Sequence, residues 1–283
     1  MHTVIAGSGY TGKRVATRLP AGTVSVVTRS AQSLPGVDVR LADLDQSATD
    51  PIELSEPYAL LYTVPPPTQG EDDPRLARFL SRISPAPRRL VYLSTSGVYG
   101  DRGGASVTET DAPNPETPRA KRRVAAEGLL TEWCEAHQTA LLILRVPGIY
   151  GPGRLGLDRL RDSGEVLRDE ESGPGNRIHV DDLAGCCIAA LTGEAPAGIY
   201  NVGDGDNRST SAFSRLLAKT AGLPEPDAIS LAEAETRWSA MRLSFVRESR
   251  RVDVTKMREV LGYSPRYANP EDGIRASLAE EEN

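Results

Sequence analysis

The sequence predicts a doubly wound α/β protein, a parallel sheet with helices on both faces, with a smaller C-terminal lobe. Three observations carry that expectation. Short β-branched runs alternate with helical patterns along the first half of the chain, which is the pattern of right-handed βαβ units. Those runs are nearly all apolar, as strands covered on both faces are. A glycine turn, Gly7-Ser8-Gly9-Tyr10-Thr11-Gly12, follows the first run directly and opens the first helical pattern.

The elements are expected in the following order. Strands fall at residues 3–6, 24–28, 37–41, 59–64, 89–94 and 140–146, with helices at 11–19, 74–83 and 119–137 between them. After Val146 the texture changes, and Pro147-Gly148-Ile149-Tyr150-Gly151-Pro152-Gly153 reads as a turn-rich breaker. Residues 154–175 are polar and punctuated by glycine, and read as part of the smaller lobe. A helix at 179–191, opened by polar residues including Asp181 and Asp182, and a strand at 198–202 follow. Residues 209–221, 231–239 and 254–261 read as helices, and the tail Glu280-Glu281-Glu282-Asn283 as frayed. The resulting division is 1–146 with 177–202 for the larger domain, and 147–176 with 203–279 for the lobe.

Bulk properties narrow the function. The 283 residues are 39% hydrophobic and 25% charged, ordinary for a soluble enzyme, and can bury a sizeable core. A formal net charge of −6 argues against nucleic acid or a membrane surface as partner, because both are anionic. No run approaches the roughly 20 apolar residues of a membrane helix. The start reads as a strand rather than a basic, then apolar, signal. Cys134, Cys186 and Cys187 lack zinc-motif spacing and read as buried hydrophobes. These features predict a reducing, cytoplasmic setting. The scattered carboxylates predict no metal site.

The glycine turn carries the chemistry. A G-x-G-x-x-G string means little alone, but between a strand and a helix it is the dinucleotide-binding turn of a Rossmann domain. Gly7 allows the tight turn, Gly9 lets backbone approach a pyrophosphate, and Gly12 lets the helix pack close to the strand. Ser8, Tyr10 and Thr11 complete the cradle, and the pyrophosphate is expected on the helix's positive end. The second strand ends in Val26-Val27-Thr28-Arg29-Ser30, with no acid for a ribose 2′-hydroxyl. Arg29 can instead stack on adenine and pair with a 2′-phosphate, and Ser30 can donate to it. The expected cofactor is therefore NADPH, with NADH binding more weakly.

Several further strings make the chain resemble the extended short-chain dehydrogenase/reductases, or NAD-dependent epimerase/dehydratase family. They are Leu93-Ser94-Thr95-Ser96-Gly97-Val98-Tyr99-Gly100, Arg145-Val146-Pro147-Gly148-Ile149-Tyr150-Gly151-Pro152-Gly153, Ile178-His179-Val180-Asp181-Asp182-Leu183-Ala184 and Tyr200-Asn201-Val202-Gly203. The resemblance implies that Asp43 and Leu44 flank the adenine, and that Val64 and Pro65 line the cofactor. It puts Pro147 to Ile149 near the nicotinamide, and Thr95 where the family's catalytic Ser or Thr holds a substrate oxygen. It also implies a small-molecule substrate and a homodimer formed through the long helices.

One departure bears on catalysis. The family's Tyr-x-x-x-Lys pair, whose phenol exchanges a proton with substrate, is absent. Keeping the lysine aligns Thr117 and Lys121; aligning Glu127 selects Arg119 and Arg123. A threonine hydroxyl is too weak an acid, and an arginine stays protonated. Arg119 and Arg123, one helical turn apart, face the same way, toward cofactor or an anionic substrate, whereas Arg122 reads as solvated. Tyr99 is a substitute acid, although packing is its commoner role, and His179 reads as an organiser of the lobe junction. Candidate catalytic residues are thus Thr95, Tyr99, Lys121 and Arg123. Two functions follow. One is an NADP-dependent oxidoreductase or epimerase/dehydratase acting on a small sugar-like or anionic substrate. The other is a non-catalytic, NADP(H)-binding redox sensor.

Overall fold

The computed structural model describes residues 1–47, 50–54, 57–162 and 164–281. Seven strands form one parallel sheet: β1 His2–Ala6, β2 Val24–Thr28, β3 Asp38–Leu41, β4 Tyr58–Tyr62, β5 Arg89–Thr95, β6 Ala140–Val146 and β7 Gly198–Asn201. Their order across the sheet is β7-β6-β5-β4-β1-β2-β3. The chain runs outward one way from β1 to β3 and the other way from β4, so β1 and β4 flank the switch point. In open sheets of this kind the ligand crevice lies there, beyond the strands' C-terminal ends.

Alternation along each strand sends neighbouring side chains to opposite faces. Ile5, Val26, Leu61, Val91 and Leu144 build one core with Val15, Leu183 and Cys187. Val4, Val27, Leu60, Leu90 and Ile143 build the other with Leu76, Phe79 and Leu130. Each fully buried Val or Leu contributes about 1.5–3 kcal/mol of transfer free energy, so the two faces together hold the sheet.

The helices are α1 Tyr10–Ala16, α2 Pro74–Arg82, α3 Pro118–Ala136, α4 Leu157–Asp162, α5 Val180–Thr192, α6 Thr210–Thr220, α7 Leu231–Arg237, α8 Ala240–Arg247, α9 Thr255–Glu259 and α10 Pro270–Glu281. Their starts are set by local chemistry. Asp73 accepts from the Leu76 N–H at the head of α2, Thr117 from Ala120 in α3, and Ser209 from Ala212 in α6. Pro occupies the first turn of α2 and α3, where its missing N–H costs nothing. α7 opens with a reciprocal Ser230–Glu233 capping box.

Four expectations need correction. Gly148–Tyr150 is not simply a breaker; it is a short strand pairing in parallel with Arg177–His179. β3 is not covered on both faces, because it is the sheet's edge and Leu41 is 64% exposed. Arg122 is buried rather than solvated, donating to the Gly70 carbonyl at 2.8 Å. Glu280 and Glu281 belong to α10 and are engaged: Glu280 pairs with Arg14, and Glu281 accepts from the Gly153 N–H. Glu282 and Asn283 lie outside the described residues.

A buried polar network ties the sheet's centre to α3. Arg145 on β6 pairs with Glu127 on α3 at 2.7 Å, and Ser94 on β5 donates to the same carboxylate. All three cysteines are buried and unbridged, and burial raises each thiol's pKa. No helix among the described residues is long and apolar enough to cross a membrane.

Candidate active site

The glycine turn occupies the switch point. Gly7 has φ +98°, and a Cβ there would lie 2.6 Å from the Thr63 hydroxyl on the neighbouring strand's exit. That hydroxyl donates to the carbonyls of Ala6 and Gly7. A Cβ on Gly12 would lie 2.0 Å from the Gly7 carbonyl oxygen, so only glycine lets α1 seat this close. Gly9 differs: nothing lies within 4 Å of the position its Cβ would take. It caps α1 without a side-chain hydrogen bond, leaving the first-turn N–H groups open. An open glycine between two crowded ones, at uncapped amides, fits a dinucleotide's pyrophosphate.

The neighbouring groups have the following places. Ser8 donates to the Thr28 hydroxyl at 2.8 Å and receives Gln32, bracing the turn against the end of β2. Thr11 is buried, whereas the Tyr10 hydroxyl reaches the Pro152 carbonyl at 2.8 Å. Arg154 stacks on the Tyr10 ring, and burial pushes the phenol's pKa up to about 12. Arg29 and Ser30 are exposed beyond β2, and Arg29 lies 3.6 Å from Asp45, a carboxylate that Arg75 also holds. Asp43 accepts from the Asp45 N–H and from Gln46, within its own turn. The Leu44 side chain packs into the core rather than toward the crevice. Val64 is half-buried and Pro65 exposed, and the Pro65 carbonyl receives Arg75.

A cavity of about 860 Å³ opens between the sheet and the small lobe. Thr95, Pro147 and Ile149 line it from the sheet side. Thr95 ends β5, and its oxygen accepts from the Gly97 N–H at 3.1 Å, so its own hydrogen remains free to donate. Among the described residues the lining includes seven arginines against two glutamates, Glu165 and Glu248. Burial lowers the pKa of Arg177. Arg242 is lowered to about 10 by burial and then by the charge of Arg159. Glu165 is already committed, accepting from Arg237 and from the Trp238 indole, which hold its pKa down. The cavity is thus cationic and only partly neutralised from within.

α3 carries no Tyr-x-x-x-Lys pair, and its basic residues face different sides. Arg119 lines the cavity, donating to Ser244 and stacking on Phe245 of α8. Arg123, one turn on, donates to the Tyr92 hydroxyl and the Leu93 carbonyl. Lys121 points elsewhere, exposed and paired with Glu71 at 3.0 Å. Its candidacy is corrected, since residues two apart on a helix face different sides. Tyr99 is also corrected: it is fully buried, does not line the cavity, and donates to Asn201 at 2.7 Å. His179 is buried at the lobe junction, capping α5 and contacting Ser277. Sequence reasoning missed Arg250, Glu248, Arg159 and Arg242, all of which line the cavity.

Residues 75–203 match the family described as the NAD dependent epimerase/dehydratase family. The chain is 27% identical to a 3-diazoavenalumate denitrifying reductase of Streptomyces sp, over 97% of this chain and 99% of that protein. Its fold is similar to that of a functionally unknown conserved protein from Silicibacter pomeroyi DSS, with TM-score 0.80, 29% identity and full coverage of both chains. A Bacillus cereus UDP-glucuronic acid 4-epimerase, solved with NAD, has TM-score 0.74 at 17% identity over 100% of this chain and 99% of that one, a likeness of fold.

Proposed function

We propose that the chain is an NADP-dependent oxidoreductase of the NAD dependent epimerase/dehydratase kind, acting on an anionic substrate. The observation that carries this reading is the arginine excess of the cavity that Thr95 lines. Desolvated guanidinium groups such as those of Arg177 and Arg242 raise the local affinity for carboxylate or phosphate, because a bound anion offsets what burial removes. The name of the Streptomyces relative, a reductase, supports the reaction class.

Bound on the glycine turn, the dinucleotide supplies or accepts the hydride. The chain's own residues position the other reactant. Thr95 donates a hydrogen bond to the reacting oxygen, and Arg119, which also lines the cavity, adds positive charge for a developing oxyanion. Neither group changes its protonation state in these roles, and the proton that joins or leaves the reacting oxygen is exchanged with water. The exposure of Arg29 beyond β2, with no acid in its place, supports the reading that it meets a 2′-phosphate.

The test is a fluorescence titration. NADPH binds at least about tenfold tighter than NADH, and Arg29→Ala removes the difference, a change of about 1.4 kcal/mol. Equal affinities in the wild type overturn the NADP assignment. A second reading, a redox sensor without turnover, is favoured by the absence of any tyrosine from α3. Oxidation of NADPH by any member of a panel of carboxylated and phosphorylated carbonyl compounds, lost in Thr95→Val, decides for the enzyme.

A further inference from the structure

Arg250 is 9% exposed, yet half of its guanidinium is idle. Nη1 donates to the Gly100 carbonyl at 2.6 Å and to Glu248 Oε2 at 3.0 Å. Nε is buried with no hydrogen-bond partner, and Nη2 has none among the described residues. The N–H groups of Nε and Nη2 lie along one edge of the planar group, two parallel donors spaced for the two oxygens of a carboxylate. An unmet buried donor is costly to keep, so the idle edge is not a neutral feature.

The Nη2 end of that edge borders the reacting end of the cavity, with Nε buried behind it. A Cβ built on Gly97 would lie 3.4 Å from the Thr95 oxygen and 4.0 Å from Arg250 Nη2. The small space over Gly97 is therefore bordered by a hydroxyl donor and a guanidinium edge. Glu248 adds an acceptor, because its Oε1 is buried and unpartnered while Oε2 holds Arg250. The backbone here is fixed, with Asn176 bonding both the Arg250 carbonyl and the Val252 N–H.

We propose that Arg250 is a specificity-determining residue that takes the substrate's carboxylate on its Nε–Nη2 edge, with the neighbouring substrate oxygen on Thr95. The substrate is then a 2-hydroxy or 2-oxo acid, or a larger molecule ending in one. This rests on the reading that the cavity takes an anionic substrate, and it names the anion. A carboxylate fits better than a phosphate because a hydroxyl on the adjacent carbon can donate to Glu248 Oε1, whereas a second phosphate charge would oppose it.

Glycolate, the smallest 2-hydroxy acid, is the probe, titrated by NMR into the protein loaded with NADP⁺. Saturable binding at millimolar concentration is expected. Arg250→Lys keeps the charge and loses the parallel donors, weakening glycolate at least about tenfold. Gly97→Ala places a methyl in the space between Thr95 and Arg250, at ordinary contact distances from both, and abolishes binding without lowering the thermal midpoint. Both variants bind NADP⁺ as the wild type does. Glycolate that does not saturate, or binds both variants unchanged, overturns the proposal, and so does inorganic phosphate binding more tightly than glycolate. If NADP⁺ itself fails to bind, the proposed function falls, and titrating glycolate into the free protein still judges the carboxylate site.

Discussion

The guanidinium of Arg119 lies 4.0 Å from the centre of the Phe245 ring, joining α3 of the sheet domain to α8 of the small lobe. The contact makes a mechanical tie between the two helices. A partly exposed cation–π contact contributes about 0.5–1 kcal/mol. Arg119→Ala should therefore speed amide hydrogen exchange across α8 by roughly twofold to fivefold, with β5 and β6 unaffected. Unchanged exchange in α8 means the stack does not hold the helix.

The glycine turn separates folding from binding. Gly12→Ala forces a methyl onto the Gly7 carbonyl and should cost roughly 3 kcal/mol or more in denaturant unfolding. Gly9→Ala meets no protein atom, so its stability should stay within about 0.5 kcal/mol of the wild type. Its affinity for NADPH should nonetheless fall at least about tenfold, because the methyl stands where phosphate approaches. Wild-type affinity in Gly9→Ala places the pyrophosphate elsewhere.

Glu127 and Arg145 form a pair with almost no water contact. Glu127→Ala leaves a buried guanidinium without its countercharge, at a cost of about 3–5 kcal/mol in urea unfolding. A loss below about 1 kcal/mol would mean that Arg145 finds another partner or water.

Asp204 follows β7 and is 2% exposed, with Oδ2 unpartnered. Burial raises its pKa from the ordinary 3.8 to about 7, against the opposing pull of Arg177. Between those values the folded protein holds a proton that the unfolded chain has released. Its contribution to stability therefore declines as pH rises through that window and levels off above it. Asp204→Asn removes the decline while keeping an oxygen for the Asp206 N–H. Urea midpoints at pH 5 and pH 8 check this: the variant should gain on the wild type at pH 8. An equal difference at both pH values assigns the titration to another group.

What the sequence made legible was local. Apolar runs of five to seven residues, such as those of β2 and β6, and a glycine turn each carry their signal within one element. The small lobe did not, because its strands are three residues long and α7 and α8 meet at a two-residue break without proline or glycine. The register of α3 was within reach. Thr117-Pro118 is an N-cap followed by a first-turn proline, and helical periodicity from there puts Arg119 and Arg123 on one face and Lys121 on another. Arg250 was out of reach. It meets Thr95 only after some 150 intervening residues have folded, and no spacing rule joins them.

The edge strand β3 has a consequence for the protein in concentrated solution. Its outer rim offers unpaired backbone groups, and Leu41 stands exposed at its end. Asp38 and Arg40 alternate with apolar residues along it and pair with each other at 2.9 Å, so an approaching strand would have to strip water from two charges. The opposite edge, β7, has α9 packed against it. Asp38 and Arg40 thus guard the rim, and replacing both by valine would turn it into a template on which molecules add to one another.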